Sequence, residues 1–311
     1  MRYFALLLLL ALPARAVELT LFTNSVSLPE GTTIQVPLTG SNNIAGPLTY
    51  KIDSISWRAV KGAFAPATNR TLILNITGVD SNNAPFAGDL VFQLCDDLTP
   101  LTTARIAELV TSNYYNGRTF HRVIQNFVAQ AGNTNGTTGV TFEDEFALPL
   151  IFNGFAQLAM ANSGRDSNDS QFFITDVDLS AGNASNLPPR HLDYKHTIFG
   201  QMTRGFDTLA ALMTTPTTNG GGFADFPISS NIIQSATIIS NSPDAVLRLT
   251  SLVGFTGDVT VAVSAANANR ETSQQTLLVH VVANTANDPP FLSPIPASFV
   301  VTQAKIGRAH V

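Results

Sequence analysis

The chain has 311 residues, of which 44% are hydrophobic and only 13% charged, with 21 Gly and 17 Pro, which excludes both a disordered chain and a coiled coil. Its formal net charge of −5 comes without a basic run, so we expect no nucleic-acid partner. Cys95 is the only cysteine, so no intrachain disulfide can form and the fold must be held by packing.

The first residues have the pattern of an export signal. Arg2 supplies positive charge, Phe4 to Leu12 form an apolar run, and Ala14-Arg15-Ala16 is a small-x-small cleavage site. We therefore expect residues 1–16 to be a signal peptide and the protein to be exported to the periplasm, the cell surface or the medium. The apolar run is shorter than the roughly 18 to 20 residues of a membrane helix, so no membrane span is expected.

Two flanking segments, residues 17–83 and 241–311, alternate β-branched or apolar runs with Gly, Asn, Ser and Pro, which predicts a small β-sandwich-like module in each. The runs are Thr33 to Leu38, Leu48 to Ile52, Thr71 to Ile76, Asp258 to Val263 and Leu277 to Val282. Their spacing, with the Pro-rich junction at Asn287 to Pro290, resembles immunoglobulin-like or cadherin-like modules of exported surface proteins. Residues 306–311 read like the in-frame translation of a common sequencing adapter, so the second flank is expected to be truncated.

The middle segment, residues 84–240, differs from both flanks. A strand from Asp89 to Cys95 is followed by a helix that begins at Pro100, a residue tolerated in a first helical turn. Leu101, Ala104, Ala107 and Leu109 are expected to form the apolar face of this helix. Short aromatic-rich strands, a second helix from Phe206 to Met213 and a last strand near Ile232 complete the segment. This pattern predicts a mainly β fold, a closed barrel capped by two helices.

Four sequence blocks in the middle segment carry polar side chains among apolar strand residues. They are Phe120-His-Arg-Val-Ile-Gln-Asn-Phe-Val-Ala-Gln130, Gln157-Leu-Ala-Met-Ala-Asn162, Ser170-Gln-Phe-Phe-Ile-Thr175 and His191-Leu-Asp-Tyr-Lys-His196. Burying such side chains without partners would be costly, so their recurrence indicates a site rather than a plain core. In this order the blocks closely resemble the cyclophilin family of peptidyl-prolyl cis-trans isomerases, over about half of the chain.

The resemblance implies an eight-stranded antiparallel barrel with two capping helices and a proline-binding groove on its outer face. It also implies that Arg122 is the catalytic guanidinium. Nine further residues would bind the substrate. The residues lining the proline pocket would be Phe127, Val128, Phe173, Leu192 and His196, and those holding the substrate backbone would be Gln130, Ala161, Asn162 and Gln171, with Asn162 acting through main-chain groups. The partners would be proline-containing polypeptides, and the function would be to assist folding of exported proteins.

The chemistry of X-Pro rotation fits these residue types. The amide must lose its partial double bond over a barrier of about 18 to 20 kcal/mol, which requires no nucleophile, metal or cofactor. An apolar slot can grip the ring, while a charged, planar Arg stabilises the twisted amide without proton transfer. We therefore expect no cofactor and no metal site.

Two residues and one alternative function complete the prediction. His121 neighbours Arg122, but alternation along a strand should turn it away from the groove, as a structural residue. His191 stands where the best-known members carry Trp, which implies weaker cyclosporin binding. Finally, the barrel could be a non-catalytic proline-peptide-binding module of a surface or adhesion protein.

Overall fold

The computed structural model describes residues 17–132, 138–177, 188–218 and 224–286. The expected signal peptide, the junction at Asn287 to Pro290 and the adapter-like tail lie outside these residues. The strands are β1 Val17–Leu21, β2 Ser25–Pro29, β3 Thr33–Asn42, β4 Thr49–Ile55, β5 Val60–Phe64, β6 Thr71–Val79, β7 Pro85–Leu94, β8 Phe120–Ile124, β9 Val128–Ala131, β10 Gln157–Met160, β11 Phe172–Thr175, β12 Ile198–Arg204, β13 Ile232–Ile239, β14 Ala245–Ser251, β15 Gly257–Ala266 and β16 Thr272–Val282. The helices are α1 Pro100–Thr111 and α2 Phe206–Met213, and a 3-10 turn covers Arg190–Leu192.

Eight strands form one antiparallel sheet in the order β13-β6-β7-β12-β10-β11-β9-β8. Its two outermost strands meet, because the Phe120 amide donates to the Asn231 carbonyl at 2.9 Å and the Ile233 amide to that of Arg118 at 2.8 Å. The predicted eight-stranded barrel with two helices is confirmed. It begins earlier than residue 84, however, since β6 pairs along its whole length with β7.

The two-residue period of the strands separates an inner core from an outer apolar cluster. Ala129, Leu158, Phe172 and their inward neighbours pack inside the barrel with α1 and α2. The residues of the opposite face form a second cluster, which consists of Cys95, Val128, Leu150, Phe152, Ala159, Phe173 and Ile198. A barrel wall that is apolar on both faces needs a cover or a ligand on the outside.

Helix α1 buries a different face from the one expected. Leu101 is 64% exposed, whereas the buried positions are Thr102, Thr103, Ile106, Leu109 and Val110. These positions follow the i, i+3, i+4, i+7 spacing better than the predicted set, because two threonines take the place of apolar residues in the first turn. The helix starts at Pro100, and the Glu145 carboxylate accepts hydrogen bonds from the first-turn amides of Leu101 and Thr102 at 3.1 and 2.9 Å.

The flanking segments form one β-sandwich together, so the prediction of two separate modules is wrong. One sheet has the order β1-β3-β14-β5 and the other β2-β16-β15-β4, so each combines strands from both ends of the chain. Their facing side chains share one core, in which Val36 and Leu38 meet Leu247 and Val261. Each segment alone lacks the partner strands it needs, so pairing across the barrel is the way to bury both apolar faces.

The barrel is inserted between β5 and β14 of this sandwich, and polar contacts join the two units. Asp244, with a side chain only 2% exposed, pairs with Arg204 of β12 at 2.7 Å between carboxylate oxygen and Nη2. Arg248 of β14 holds Asp97 with two hydrogen bonds of 2.6 and 3.0 Å. The Phe22 ring also stacks on rings of the barrel.

Candidate functional site

A row of directly opposed residues crosses the outer face of the barrel. Arg122 on β8 faces Gln130 on β9, Gln130 faces Phe173 on β11, and Phe173 faces Ala159 on β10. Residues opposed in this way share a face, with Cβ atoms about 4.5 to 5.5 Å apart. Four short strands therefore bring a cation, an amide, an aromatic ring and a small residue into one line.

Arg122 lies next to a break in the strand register. Phe120 opposes Ala131 and Arg122 opposes Gln130, so the ladder between β8 and β9 is irregular at His121. The buried residues of β8 are Phe120 and Val123, three positions apart, and both His121 and Arg122 stay half-buried. The side chain of Arg122 is 38% exposed, so its guanidinium reaches solvent at the groove.

The expected orientation of His121 away from the groove stays a prediction, because strict alternation does not hold at the bulge where this residue lies. Burial, the largest influence, lowers the pKa of His121, and its Nδ1 is buried without a hydrogen-bond partner among the described residues.

The predicted proline-pocket residues come together around Phe173. Val128 and Phe173 are buried in the outer cluster, and Phe127 and Leu192 pack against it. The His196 ring meets the Phe173 ring edge-on at 5.5 Å between centroids. The pocket is therefore apolar on its floor and aromatic on its wall.

A second aromatic layer supports this pocket, and sequence reasoning missed it. The Phe152 ring stacks on Phe173 with centroids 5.7 Å apart and is fully buried. The next residue, Asn153, donates its side-chain amide to the Thr33 carbonyl of the sandwich at 2.9 Å. The signal available was the run of apolar residues from Leu150 to Phe152, which has no strand period of its own.

His196 has a defined tautomer. Its Nδ1 lies 3.0 Å from the Met160 carbonyl oxygen, which can only accept, so Nδ1 carries the hydrogen and Nε2 is the unprotonated nitrogen. Burial is the main cause that lowers the pKa of this ring below its ordinary value. The His196 ring in the pocket wall is consequently uncharged at neutral pH.

Two glutamines form the polar rim. The side chain of Gln130 donates to that of Gln171 at 2.9 Å between Nε2 and Oε1. The carbonyl of Gln171 in turn accepts from the Ala161 amide at 2.9 Å. These bonds fix the direction in which the Gln171 side chain presents its remaining donors.

The Asn162 side chain is already engaged within the protein. Its amide donates to the Lys195 carbonyl at 2.8 Å and lies 3.3 Å from a carboxylate oxygen of Asp144. No main-chain hydrogen bond of Asn162 to another described residue is present. Its backbone N–H and C=O are therefore the groups available to an extended peptide.

The comparison with protein families decides the identity of the barrel. Residues 79–238 match the model described as "Cyclophilin type peptidyl-prolyl cis-trans isomerase/CLD". The chain belongs to the cyclophilin family. A putative peptidyl-prolyl cis-trans isomerase of Staphylococcus haemolyticus is 33% identical over 176 residues, covering 49% of this chain and 86% of the relative.

Two further relatives were found. Human peptidyl-prolyl cis-trans isomerase-like 1 is 42% identical over 125 residues, which cover 38% of this cyclophilin chain and 69% of the human protein. The crystal structure of a Cryptosporidium parvum cyclophilin-type isomerase in the presence of the dipeptide Ala-Pro has 28% identity and a TM-score of 0.43, covering 54% of this chain and 99% of that one.

Within the described ranges, no three His, Cys, Asp or Glu side chains are grouped as metal ligands. The helices described are also too short or too polar to cross a membrane.

Proposed function

We propose that the barrel catalyses rotation about X-Pro peptide bonds with Arg122 as the catalytic guanidinium. The observation that carries this proposal is the row Arg122, Gln130 and Phe173, which sets a cation beside an apolar pocket on one face. The pocket grips the proline ring, and the guanidinium donates to the amide as it twists. Because an arginine stays charged and transfers no proton, this mechanism needs no general acid or base.

The remaining residues divide between ring and backbone. We assign the proline ring to the slot formed by Phe127, Val128, Phe173, Leu192 and His196. The substrate backbone would run along Gln130, Gln171, Ala161 and the free main chain of Asn162. Substrate main-chain groups held at fixed points let the enzyme apply binding energy to the twisted amide rather than to the planar one. Proline-containing polypeptides are therefore the proposed substrates.

The test is a protease-free isomerisation assay, such as NMR exchange on a short Ala-Pro peptide, with the full chain. Arg122→Ala should lower kcat/KM by about 100-fold or more, the range for loss of one aimed donor in a transition state. Arg58→Ala, which removes an exposed arginine of the sandwich, is the matched control and should behave as wild type. Unchanged activity of folded Arg122→Ala would refute the assignment.

The alternative is a non-catalytic module that binds proline peptides within a surface or adhesion protein. The sandwich built around the barrel favours it. Binding of an Ala-Pro peptide without acceleration, equally in wild type and Arg122→Ala, would support this alternative over catalysis.

We also propose that the chain is exported, assists folding of exported proteins, and carries an immunoglobulin-like or cadherin-like sandwich. The signal pattern of residues 1–16 and the two packed four-stranded sheets support this. Cleavage before Val17 would leave β1 intact. N-terminal sequencing of protein recovered from the periplasm or medium should begin at Val17, and an uncleaved protein retained in the cytoplasm would contradict export.

Weak cyclosporin binding remains part of the proposal. His191 is exposed and stacks on Phe127 with ring centroids 6.0 Å apart, where it offers less apolar area than an indole. His191→Trp should therefore raise the sensitivity of the isomerase to cyclosporin without raising its activity. Equal inhibition of both proteins would contradict this role for His191.

A further inference from the structure

We propose that Asp225 is a positioning residue for Arg122: it anchors the Nε edge of the guanidinium and leaves the Nη edge for the substrate. This inference rests on the proposed function, in which Arg122 is the catalytic group. The carboxylate oxygen Oδ2 of Asp225 lies 3.8 Å from Nε of Arg122. Both side chains are about equally exposed, 39% for Asp225 and 38% for Arg122, so the pair sits at the surface of the groove.

The backbone fixes Asp225 beside the strand that carries Arg122. Its carbonyl accepts a hydrogen bond from the Val123 amide at 2.9 Å, one residue along β8 from Arg122. Its own amide donates to the Thr218 carbonyl at 3.1 Å. Asp225 is thus attached on both sides, and its carboxylate does not depend on a free loop to reach the guanidinium.

The backbone conformation at Asp225 is also unusual. Its φ is +69°, a left-handed value that costs free energy for most residues but is tolerated by Asp and Asn. A residue held in this region next to a site indicates that the surrounding hydrogen bonds determine its position. Here they turn the side chain toward Arg122.

The contact with Asp225 restricts the rotamers of the Arg122 side chain, because it holds the Nε side of the guanidinium. A free arginine side chain has many rotamers, and part of this freedom is otherwise lost when the side chain binds the twisted amide. Among the described residues, the ion pair of Arg122 is made through Nε, and no hydrogen bond or ion pair occupies either of its Nη atoms. An anchored Nε with free Nη donors is the arrangement that serves a planar donor aimed at substrate.

Asp225→Asn is the sharpest test, because Asn keeps the left-handed backbone and the bond to Val123 while removing the charge. An exposed ion pair is worth a small amount, so kcat/KM should fall by about 2- to 5-fold at low salt, mainly through kcat. The ratio of kcat/KM between wild type and Asp225→Asn should approach one as the salt concentration approaches about 1 M, where charges more than about 3 Å apart are screened from each other. Glu18→Gln, on an exposed position of the sandwich, changes the net charge equally and should have no effect.

A readout independent of catalysis accompanies the kinetics. The Nε–H signal of Arg122, assigned by its loss in Arg122→Ala, should exchange faster with solvent in Asp225→Asn than in wild type. A rate equal to or above wild type, together with unchanged Nε–H exchange, would overturn the positioning role while leaving Arg122 catalytic. If Arg122→Ala itself keeps full activity, the proposed function fails instead, so the two failures are distinguishable.

Discussion

Asp244 offers a stability prediction whose size follows from its contacts. Its carboxylate accepts from the Gly40 amide at 3.0 Å, from the Thr203 hydroxyl at 3.1 Å and from Arg204 at 2.7 and 3.3 Å. In Asp244→Ala the buried Gly40 amide loses its acceptor, at a cost of about 1 to 3 kcal/mol. Thr203 can still donate to the Val91 carbonyl, so its loss adds little.

The Arg204 contribution must be discounted, because its side chain is 44% exposed and its charge returns to water when the partner is removed. We therefore assign about 1 kcal/mol to the ion pair and expect a total loss of about 3 kcal/mol in the free energy of unfolding. Urea unfolding of the full chain, followed by circular dichroism, measures this loss.

Asp258→Ala is the matched control, since the Asp258 carboxylate also has a side-chain partner, the His280 ring with Nδ1 at 2.7 Å, but is 65% exposed. Its effect should stay below about 1 kcal/mol. A loss below about 1 kcal/mol in Asp244→Ala, or equal losses in both variants, would refute the argument that burial at the junction decides the strength of these contacts.

Two pH dependences follow from the shifted groups. Burial alone would raise the pKa of Asp97, but hydrogen bonds from Arg248 and Asn69 hold it below its ordinary value, so its stabilisation is present above about pH 4 and is lost as pH falls through the folded pKa. The destabilisation by Arg248→Met, measured by urea unfolding, should accordingly shrink between about pH 5 and pH 2, and a difference that stays constant would contradict the linkage. Burial lowers the pKa of His196 below 6.5, so kcat/KM of the wild type should be flat above about pH 7 and fall only below about pH 6. His196→Phe should lack that fall. A midpoint above pH 7 in the wild-type profile would contradict an uncharged His196 ring at neutral pH.

The site could be predicted further than the domain organisation because its information is local in sequence. Gln130 and Phe173 stand in two of the short contiguous blocks that carry the resemblance to cyclophilins. The sandwich could not be predicted in this way. The alternation of residue types predicts where its strands lie but not which strands pair with one another. The pairing of β3 with β14 joins residues more than two hundred positions apart.

The residues that escaped prediction depend on local irregularity or on long-range contact. The bulge at His121 breaks the alternation from which its orientation was inferred. Asp225 reaches Arg122 only because a turn far along the chain is attached to β8. Neither Phe152 nor Asp225 belongs to a motif, since their neighbours across space are set by the closed barrel.

The insertion of the barrel has a geometric basis in its own sheet. β6 and β13, the first and last strands of the barrel, are paired so that Thr71 lies opposite Ile239. In the sandwich, Phe64 lies opposite Leu247 in the same manner. The chain therefore leaves and re-enters the sandwich between two antiparallel pairs whose ends are neighbours, and an insert can be accommodated without breaking either sheet. Since Arg204, Arg248 and Asn153 also bridge the two units, the sandwich and the wall behind the proline pocket are parts of one packed structure.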